Sequence, residues 1–380
     1  MFRKTRILSL VVIPALLALA ACAPRSSSTN AVTIAPLTQG QATPLLADTV
    51  MPGPQMTTPP VQELATPSPS VESASRTEPV ETSVSAVCFT PSDILPFDFT
   101  PDSKSILVRG RAGVQIFDLD TLKEKSFLHA PQNIQTAALS PDGETLAWSL
   151  EDNTIQLVRV ADQEVLHTLS GHTDVVTKLR FTPQGDELVS ASHDYSVRVW
   201  NLQGEELRSF QPPGEVLGIG ISPDGSMLAT VPFDGPVALW HLDTLEKIKD
   251  LGGSGGYDTS DAEFSMDGQY LAADTATSLY LWKISDGEQV WNDVKNSMAV
   301  DFSPDGRYLA YADMDDGSQV FLSTADGSEI VHELVGHQGP VWEMFFSPDS
   351  KLLVSTDGLD IRIWHVEDGT LQYIGKAECP

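Results

Sequence analysis

A short phrase returns seven times along the chain, at intervals of about 40 residues. Its copies resemble Phe-Ser-Pro-Asp-Gly followed by an apolar segment, and they begin at Phe99, Leu139, Phe181, Ile221, Phe264, Phe302 and Phe346. Proline sets φ at the second position of a tight turn, and Asp-Gly tolerates the corner that follows. Each unit also contains segments in which apolar and polar residues alternate and segments rich in β-branched residues. Together they are long enough for four short strands per unit. The pattern therefore predicts an all-β, seven-bladed β-propeller with one four-stranded blade per repeat.

The third unit carries the fullest set of polar residues. They are Gly171-His172 before the first strand, Ser190 and Ser192 on the second, Asp194 in the next turn and Trp200 on the third. This arrangement resembles the WD40 repeat, and the resemblance extends over residues 88–380. In that family, His, Ser/Thr, Asp and Trp form a buried network inside one blade, which the resemblance implies for His172, Ser190, Ser192, Asp194 and Trp200. The imidazole bridges a carboxylate and a hydroxyl, and the indole N–H completes the chain of hydrogen bonds.

The other units depart from this pattern. Asp precedes Trp by six positions in the third unit, and the same offset gives three further pairs: Asp234 with Trp240, Asp315 with Phe321, and Asp152 with Val158. In units one, five and seven the position holds Arg111, Ala276 and Gly358, although unit seven keeps Gly336-His337 and Trp364. A full network is therefore expected only in unit three. TolB-like propellers share the Ser-Pro-Asp-Gly phrase, but the Gly-His pairs and tryptophans favour WD40.

The first 86 residues divide into two zones. Residues 1–21 have a basic start and an apolar core, which predicts a signal peptide too short for a transmembrane span. The ending Leu19-Ala20-Ala21-Cys22 resembles the lipobox of bacterial lipoproteins, which implies a lipid anchor on Cys22. An ordinary secretory signal with an incidental cysteine is the alternative. Residues 22–86, rich in Ser, Thr and Pro, predict a disordered tether, and residues 87–380 the propeller.

Two cysteines remain after Cys22, namely Cys88 at the first strand and Cys379 next to the last residue. An even pair in an exported protein is a disulfide candidate. A closed propeller brings its first and last blades together, so we predict a Cys88–Cys379 bond. Two unpaired thiols are the alternative. Residues 370–374 follow Trp364 where the last blade needs its own fourth strand. The seam is therefore expected to lack the strand interlock common in WD40 proteins.

Charge and motifs exclude several classes of function. The formal net charge is −29, so the surface repels nucleic acid and anionic headgroups. We find no nucleophile elbow, phosphate loop or zinc spacing, so the sequence predicts neither an enzyme nor a cofactor. The Asp-rich segment 313–317 superficially resembles a calcium loop. It lacks the alternating ligands with a distal Glu, and an Asp-Gly hairpin turn accounts for it better.

The sequence favours a non-catalytic binding platform for a protein or peptide, anchored by lipid to the cell membrane or outer membrane and facing the periplasm or exterior. In WD40 relatives one face carries the loops after the second strand and between blades. The resemblance places these candidates there: Arg109, Arg111, His193, Tyr195, Phe233, Tyr257 within segment 252–257, and Gln338. Two alternatives stay open. One is an envelope assembly factor for membrane-protein insertion or transport. The other is an extracellular polymer-degrading enzyme, which a pocket of converging carboxylates would favour.

Overall fold

The fold is known from a computed structural model, which describes residues 87–88, 95–121, 123–253, 261–275, 278–291, 297, 299–313 and 319–376. Their strands form seven antiparallel four-stranded sheets, each taken from consecutive strands, and one sheet gains a fifth strand. This confirms the predicted all-β, seven-bladed propeller. Cys22, the signal peptide, the predicted tether and Cys379 lie outside the described residues.

The strands are numbered in chain order. Blades one to three contain β2 (Leu95–Phe99), β3 (Ser105–Gly110), β4 (Gly113–Asp118), β5 (Lys123–His129); β6 (Ile134–Leu139), β7 (Thr145–Leu150), β8 (Ile155–Arg159), β9 (Val165–Leu169); and β10 (Val176–Phe181), β11 (Glu187–Ser192), β12 (Val197–Asn201), β13 (Glu206–Phe210). Blades four and five contain β14 (Val216–Ile221), β15 (Met227–Pro232), β16 (Val237–His241), β17 (Lys247–Gly252); and β18 (Ala262–Phe264), β19 (Tyr270–Thr275), β20 (Ser278–Lys283), β21 (Gln289–Trp291). Blade six contains β22 (Val300–Phe302), β23 (Tyr308–Asp313), β24 (Gln319–Thr324) and β25 (Ile330–Leu334). Blade seven contains β26 (Glu343–Phe346), β27 (Leu352–Thr356), β28 (Asp360–His365) and β29 (Leu371–Lys376), with β1 (Val87–Cys88) at its edge.

The repeated phrase forms the turn between the first and second strands of each blade. In blade two, the Ser140 hydroxyl donates to Asp142 Oδ1 at 2.5 Å and accepts the Thr145 amide at 2.9 Å. Gly143, with φ of 75°, occupies the left-handed corner that a β-carbon disfavours. The hydroxyl–carboxylate bond recurs in the other six blades, from Thr100, Thr182, Ser222, Ser265, Ser303 and Ser347. Because the turn supplies its own hydrogen bonds, it holds the two strands in register at every repeat.

Apolar clusters between neighbouring blades form the core. Between blades three and four, for example, Val189 and Val199 pack in one cluster with Leu228 and Trp240. The ring closes through the same kind of cluster, in which Ile106 and Phe117 of blade one pack with Ile361 and Ile363 of blade seven. Burial of this apolar surface drives ring closure, because a blade alone leaves both faces of its sheet exposed.

The seam between blades one and seven differs from the expectation in one respect. Strand β29 is the last blade's own fourth strand, as predicted. The expectation that the seam lacks a strand interlock is wrong, however, because β1 pairs in parallel with β29, with Val87 opposite Gly375 and Cys88 opposite Lys376. The pairing escaped sequence reasoning because β1 is only two residues long. The N-terminal end of the propeller is thereby joined to its last strand by backbone hydrogen bonds.

Candidate functional site

Blade three contains a continuous network of buried polar side chains. Trp200 Nε1 donates to Ser190 Oγ at 2.9 Å, and that oxygen lies 2.7 Å from His172 Nε2. His172 Nδ1 lies 3.0 Å from Asp194 Oδ2. A neutral imidazole protonated on Nδ1 satisfies all three contacts, since it accepts from the serine and donates to the aspartate. Ser192 lies outside this chain, where its hydroxyl accepts the Asp194 amide at 3.1 Å.

The ionisation states of the two titratable members fit this arrangement. Burial lowers the pKa of His172, and the neighbouring Asp194 opposes that shift only in part. Burial raises the pKa of Asp194, but hydrogen bonds from the Ser196 hydroxyl, the Thr173 amide and His172 outweigh it and lower the pKa to about 2. The network therefore holds a carboxylate and a neutral imidazole at neutral pH, which removes the cost of a buried imidazolium.

Blade seven contains a second set of the same residue types, but its hydrogen-bond chain is incomplete, because His337 Nδ1 has no hydrogen-bond partner among the described residues. Trp364 Nε1 donates to Ser355 Oγ at 2.9 Å, and His337 Nε2 lies 2.7 Å from the same oxygen. The carboxylate comes from Asp357, whose Oδ2 lies 3.4 Å from His337 Nδ1, looser than the 3.0 Å in blade three. Burial raises the pKa of Asp357, but the nearby imidazole of His337 and hydrogen bonds from three backbone amides outweigh it and lower the pKa well below its usual range. The offset rule missed this residue because Asp357 precedes its tryptophan by seven positions, not six.

Three further tryptophans, Trp148, Trp240 and Trp282, have no histidine among their hydrogen-bond partners in the described part of the chain. Trp240 Nε1 donates to Thr230 Oγ1 at 2.9 Å, and Trp148 Nε1 to Gln156 Oε1 at 3.1 Å. Trp282 Nε1 is buried without a partner among the described residues. Asp152 is exposed and bonds to Thr154 in its own turn. The six-residue offset therefore does not by itself identify a network.

The predicted ligand-face residues separate into three groups. His193, Tyr195 and Phe233 lie in the turns after the second strands of blades three and four, and Arg111 occupies the same turn of blade one. Arg109 lines the central channel and donates to the Gln135 carbonyl, while the Gln338 amide donates to Asp357 in the blade-seven network. Tyr257 lies outside the described residues. The structure thus places four of the seven candidates in turns after second strands, and Gln338 in the loop before the first strand of blade seven, on the same face of the ring.

That face, called here the loop face, exposes large apolar side chains. Tyr195 is 52% and Phe233 39% exposed in the turns of blades three and four. In blade seven, Leu359 lies in the corresponding turn and is 63% exposed, and Trp342 precedes the first strand and is also partly exposed. Sequence reasoning missed Trp342 and Leu359. Their positions in loops of one face were the available signal.

A channel of about 890 Å³ lies on the axis of the ring and is lined by the first strands of all seven blades. Charged side chains project into it at two levels. The first level, nearer the loop face, holds Lys178, Asp261 and Glu343; the second holds Asp98, Arg180, Glu263 and Asp301. Asp274 of β19 lines the channel beside Asp261, whose amide donates to it. Six carboxylates thus share the channel with three basic side chains, Lys178, Arg180 and Arg109.

Ion pairs satisfy only part of this charge. Asp261 Oδ2 lies 2.6 Å from Lys178 Nζ and 2.8 Å from an Arg180 nitrogen, and Arg180 also contacts Glu263. Burial raises the pKa of Glu263 to about 7 despite Arg180, and burial raises that of Asp98 to about 7. Burial, reinforced by Glu263, raises the pKa of Asp301 well above its usual range. Because burial is the largest cause of these shifts, they indicate that the channel carboxyls favour their protonated form more than exposed ones do.

The sequence contains a pattern that predicts which residues face the channel. Side chains alternate along a strand, so the residue before each buried phrase-starting residue faces the opposite way. Applied to the repeats, this rule selects Asp98, Arg180, Glu263 and Asp301, which precede Phe99, Phe181, Phe264 and Phe302. The repeat that predicts the fold therefore also predicts which residues form the second charged level of the channel.

Comparison with known proteins supports the WD40 assignment of the repeats. The family described as WD domain, G-beta repeat matches residues 163–201 and 328–365. The first stretch includes His172, Ser190, Asp194 and Trp200 of blade three. The second includes His337, Ser355, Asp357 and Trp364 of blade seven. The match is therefore confined to the two blades that contain a His, Ser, Asp and Trp of this type. The chain carries WD40 repeats, and its propeller is of the WD40 type.

Several curated proteins resemble the chain over part of their length. Apoptotic protease-activating factor 1 of Rattus norvegicus is 28% identical over 62% of this chain and 20% of that protein. Meiotic recombination protein rec14 of Schizosaccharomyces pombe is 27% identical over 60% of this chain and 62% of its own length. Small ribosomal subunit protein RACK1 of Caenorhabditis elegans is 30% identical over 43% of this chain and 51% of its own. The chain spans about a fifth of the first of these relatives.

In the part of the chain that the structure describes, no group of three or more His, Cys, Asp or Glu side chains is arranged to hold a metal ion. Within the same residues, no helix has the length and apolar character needed to cross a membrane.

Proposed function

We propose that this chain is an exported lipoprotein, anchored through Cys22, whose WD40-type propeller binds a protein or peptide partner on its loop face. The fold fixes no chemistry of its own, so the proposal depends on what the loop face presents. The observation that carries it is the exposure of Tyr195, Phe233, Trp342 and Leu359 on that face. Exposed aromatic side chains are the usual anchors of protein interfaces, because they bury a large area at little entropic cost.

The backbone at Tyr195 supports a binding role for this side chain. Tyr195 has φ of 66°, in the left-handed region that a bulky residue occupies only at a cost. The corresponding position in blade two holds Asn153, which tolerates this conformation better and has φ of 65°. A turn that needs only an Asn-like residue therefore carries an exposed tyrosine instead. Strain of this kind at an exposed side chain is typical of functional positions.

Substitution of Tyr195 should separate binding from stability. Tyr195→Asn is expected to leave the free energy of unfolding unchanged or to raise it by about 0.5–1 kcal/mol, because it relieves the left-handed strain. The same change should reduce partner capture in crosslinking pull-downs from intact cells, and Phe233→Ala should do so too. Leu207→Ala, an exposed apolar residue on the outer strand β13, serves as the matched control. Equal capture by wild type and Tyr195→Asn would contradict the loop-face proposal.

The lipid anchor has its own test. Metabolic labelling with a clickable fatty acid is expected to tag the wild-type protein and not the Cys22→Ala variant, because the thiol is the acceptor in the lipobox reading. Acyl chains contribute about 0.8 kcal/mol per buried CH₂, so loss of the anchor should also release the protein from the membrane fraction. Labelling of both proteins alike would show that Cys22 is not the site.

The two alternatives predict different results. An envelope assembly factor would be captured with membrane-protein insertion or transport machinery, so the pull-down separates it from a general scaffold. A polymer-degrading enzyme has one observation in its favour, the converging channel carboxylates with raised pKa values. Against it, Asp261 and Glu263 are bound to Arg180, and Asp301 accepts the Phe346 amide at 2.7 Å. Carboxylates held in this way maintain the channel and are not poised to exchange protons with a polymer.

A further inference from the structure

The fifth residue of the repeated phrase differs in two of its seven copies. Blades one and seven have Ser103 and Ser350 at this position. The other five copies have glycine, namely Gly143, Gly185, Gly225, Gly268 and Gly306. Both serines keep the left-handed backbone of the glycines, with φ of 58° at Ser103 and 59° at Ser350. A β-carbon makes this conformation costly, so the two serines need a compensating interaction.

The fifth position of the phrase lies against the phrase turn of the preceding blade. A β-carbon added to Gly143 of blade two would lie 2.8 Å from Pro101 Cδ of blade one. One added to Gly306 of blade six would lie 3.9 Å from Met266 Cβ of blade five. A side chain at this position therefore points across the boundary between two blades. A hydroxyl there can reach the neighbouring turn, whereas glycine has no group that could do so.

Both serine hydroxyls bond to the preceding blade. Ser350 Oγ of blade seven accepts the Asp305 amide of blade six at 2.9 Å. Ser103 Oγ of blade one accepts the Asp349 amide of blade seven at 3.1 Å, and this bond crosses the seam of the ring. In each case the donor is the amide of the phrase aspartate, so the same two positions of the repeat are joined twice. Blade seven is thus linked to both of its neighbours.

The other blade boundaries differ in this respect. All seven phrases belong to the described residues, and among them one further side-chain bond joins the turns of neighbouring phrases. It runs from Gln184 Nε2 of blade three to the Asp224 carbonyl of blade four, at 3.3 Å. A serine hydroxyl that accepts the phrase aspartate's amide is therefore found, among these residues, at the two boundaries of blade seven.

Hydrogen bonds cross the seam at two separate places. At the outer edge of blade seven, β1 pairs with β29 through two residues. The phrase turn instead joins the two strands of each blade that lie nearest the axis, which are β26 and β27 in blade seven and β2 and β3 in blade one. The bond between Ser103 and Asp349 therefore fastens the seam near the axis, away from β1.

We propose that Ser103 and Ser350 form a clasp that holds blade seven against both neighbours and so opposes opening of the ring. Blades one and seven are not consecutive in the chain, so their boundary has less covalent restraint than the others. The two hydrogen bonds compensate for the cost of the left-handed serines, which accounts for serine in these two copies of the phrase. The clasp lies on the face opposite the loop face and does not depend on the proposed partner platform.

Hydrogen exchange of the full-length protein, resolved to single amides by mass spectrometry, tests the two bonds separately. In Ser103→Ala the Asp349 amide is expected to exchange about fivefold faster, as loss of an ordinary hydrogen bond allows, while the Asp305 amide keeps its wild-type rate. In Ser350→Ala the two amides should respond the other way round. Ser103→Gly should accelerate Asp349 as much as Ser103→Ala does, because it relieves the strain but also lacks the hydroxyl. Unchanged exchange of Asp349 in Ser103→Ala would overturn the proposal.

Thermal melts test whether the two bonds hold the ring closed. The double variant Ser103→Ala/Ser350→Ala is expected to lower the melting temperature by about 2–4 °C. The matched control is Ser226→Ala, because the Ser226 hydroxyl bonds to Asp224 within its own turn, at 2.8 Å, and crosses no blade boundary. It should lower the melting temperature by less than about 1 °C. A double variant that melts like Ser226→Ala would show that the bonds do not hold the ring, which overturns the clasp.

Gly306→Ser tests whether the position and the hydroxyl together make the link. The added side chain has room, since the nearest atom, Met266 Cβ, would lie 3.9 Å from its β-carbon. By its place in the repeat the new hydroxyl would face the Asp267 amide of blade five, as Ser350 faces that of blade six. Exchange of the Asp267 amide is expected to slow about fivefold. A folded Gly306→Ser protein with unchanged exchange of this amide would contradict the proposal.

Discussion

Replacement of Cys88 by serine is expected to lower the free energy of unfolding of the exported protein by about 4–5 kcal/mol. The expectation depends on a disulfide between Cys88 and Cys379, which would close a loop of nearly the whole propeller. In the chain-entropy description, closing so long a loop removes much of the freedom of the unfolded chain. Cys379 lies outside the described residues, so the bond stays a prediction.

The pairing of β1 with β29 supports this bond. Cys88 lies opposite Lys376, three residues before Cys379 in the chain. Adjacent strands are about 4.8 Å apart, and three residues reach at most about 10 Å, so the two α-carbons have access to the separation of roughly 7 Å or less that a disulfide needs. The bond would lock a strand pair of only two residues, which by itself contributes little to closure.

Peptide mapping without reduction, combined with denaturant melts, decides the matter. A linked Cys88–Cys379 peptide is expected from the wild type, and reduced wild type should unfold at the same denaturant concentration as Cys88→Ser and Cys379→Ser. The double variant should be no less stable than either single one. Cys22→Ala serves as the control and should keep the bond. Two free thiols in the exported protein would rule the bond out.

The fold was predictable because its signal is local and repeated. Each turn forms from residues within the phrase itself, as the bonds of Ser140 to Asp142 and Thr145 show, so seven copies give seven independent indications of the same structure. The pairing of β1 with β29 was not predictable in this way. It joins two segments nearly 290 residues apart through a strand of two residues, which has no pattern to recognise.

The site was less accessible from the sequence, because it depends on which side chains the ring brings together. Lys178 and Asp261 are distant in the chain and meet only because blades three and five both face the axis. Alternation along the first strands places charges in the channel. It does not show that Asp274, which comes from a second strand, joins them with an unpartnered oxygen. The position of Asp357 beside His337 was not predictable either, because its spacing to the tryptophan of its blade is one residue longer than in blade three.

The last prediction concerns the aspartates beside the buried histidines of blades three and seven. The six-residue offset in the sequence and the structure select different residues for this role. Asp194→Ala and Asp357→Ala should each lower the free energy of unfolding by about 1–3 kcal/mol, since the first leaves His172 without its acceptor and the second leaves three backbone amides without theirs. Asp234→Ala is the matched control. Asp234 precedes Trp240 by the six-residue offset, but it is exposed and Trp240 bonds to Thr230 instead. Its loss should change stability by no more than about 0.5 kcal/mol.

The pH dependence of these melts tests the cause of the effect. Because the pKa of Asp194 is about 2 in the folded protein and about 3.9 when unfolded, its charge contributes stability above about pH 4. That contribution is lost as the pH falls from 4 toward 2, so the difference between wild type and Asp194→Ala should narrow over this range. If instead Asp357→Ala is as stable as wild type while Asp234→Ala is destabilised, the offset in the sequence, and not the geometry around His337, identifies the blades with a network.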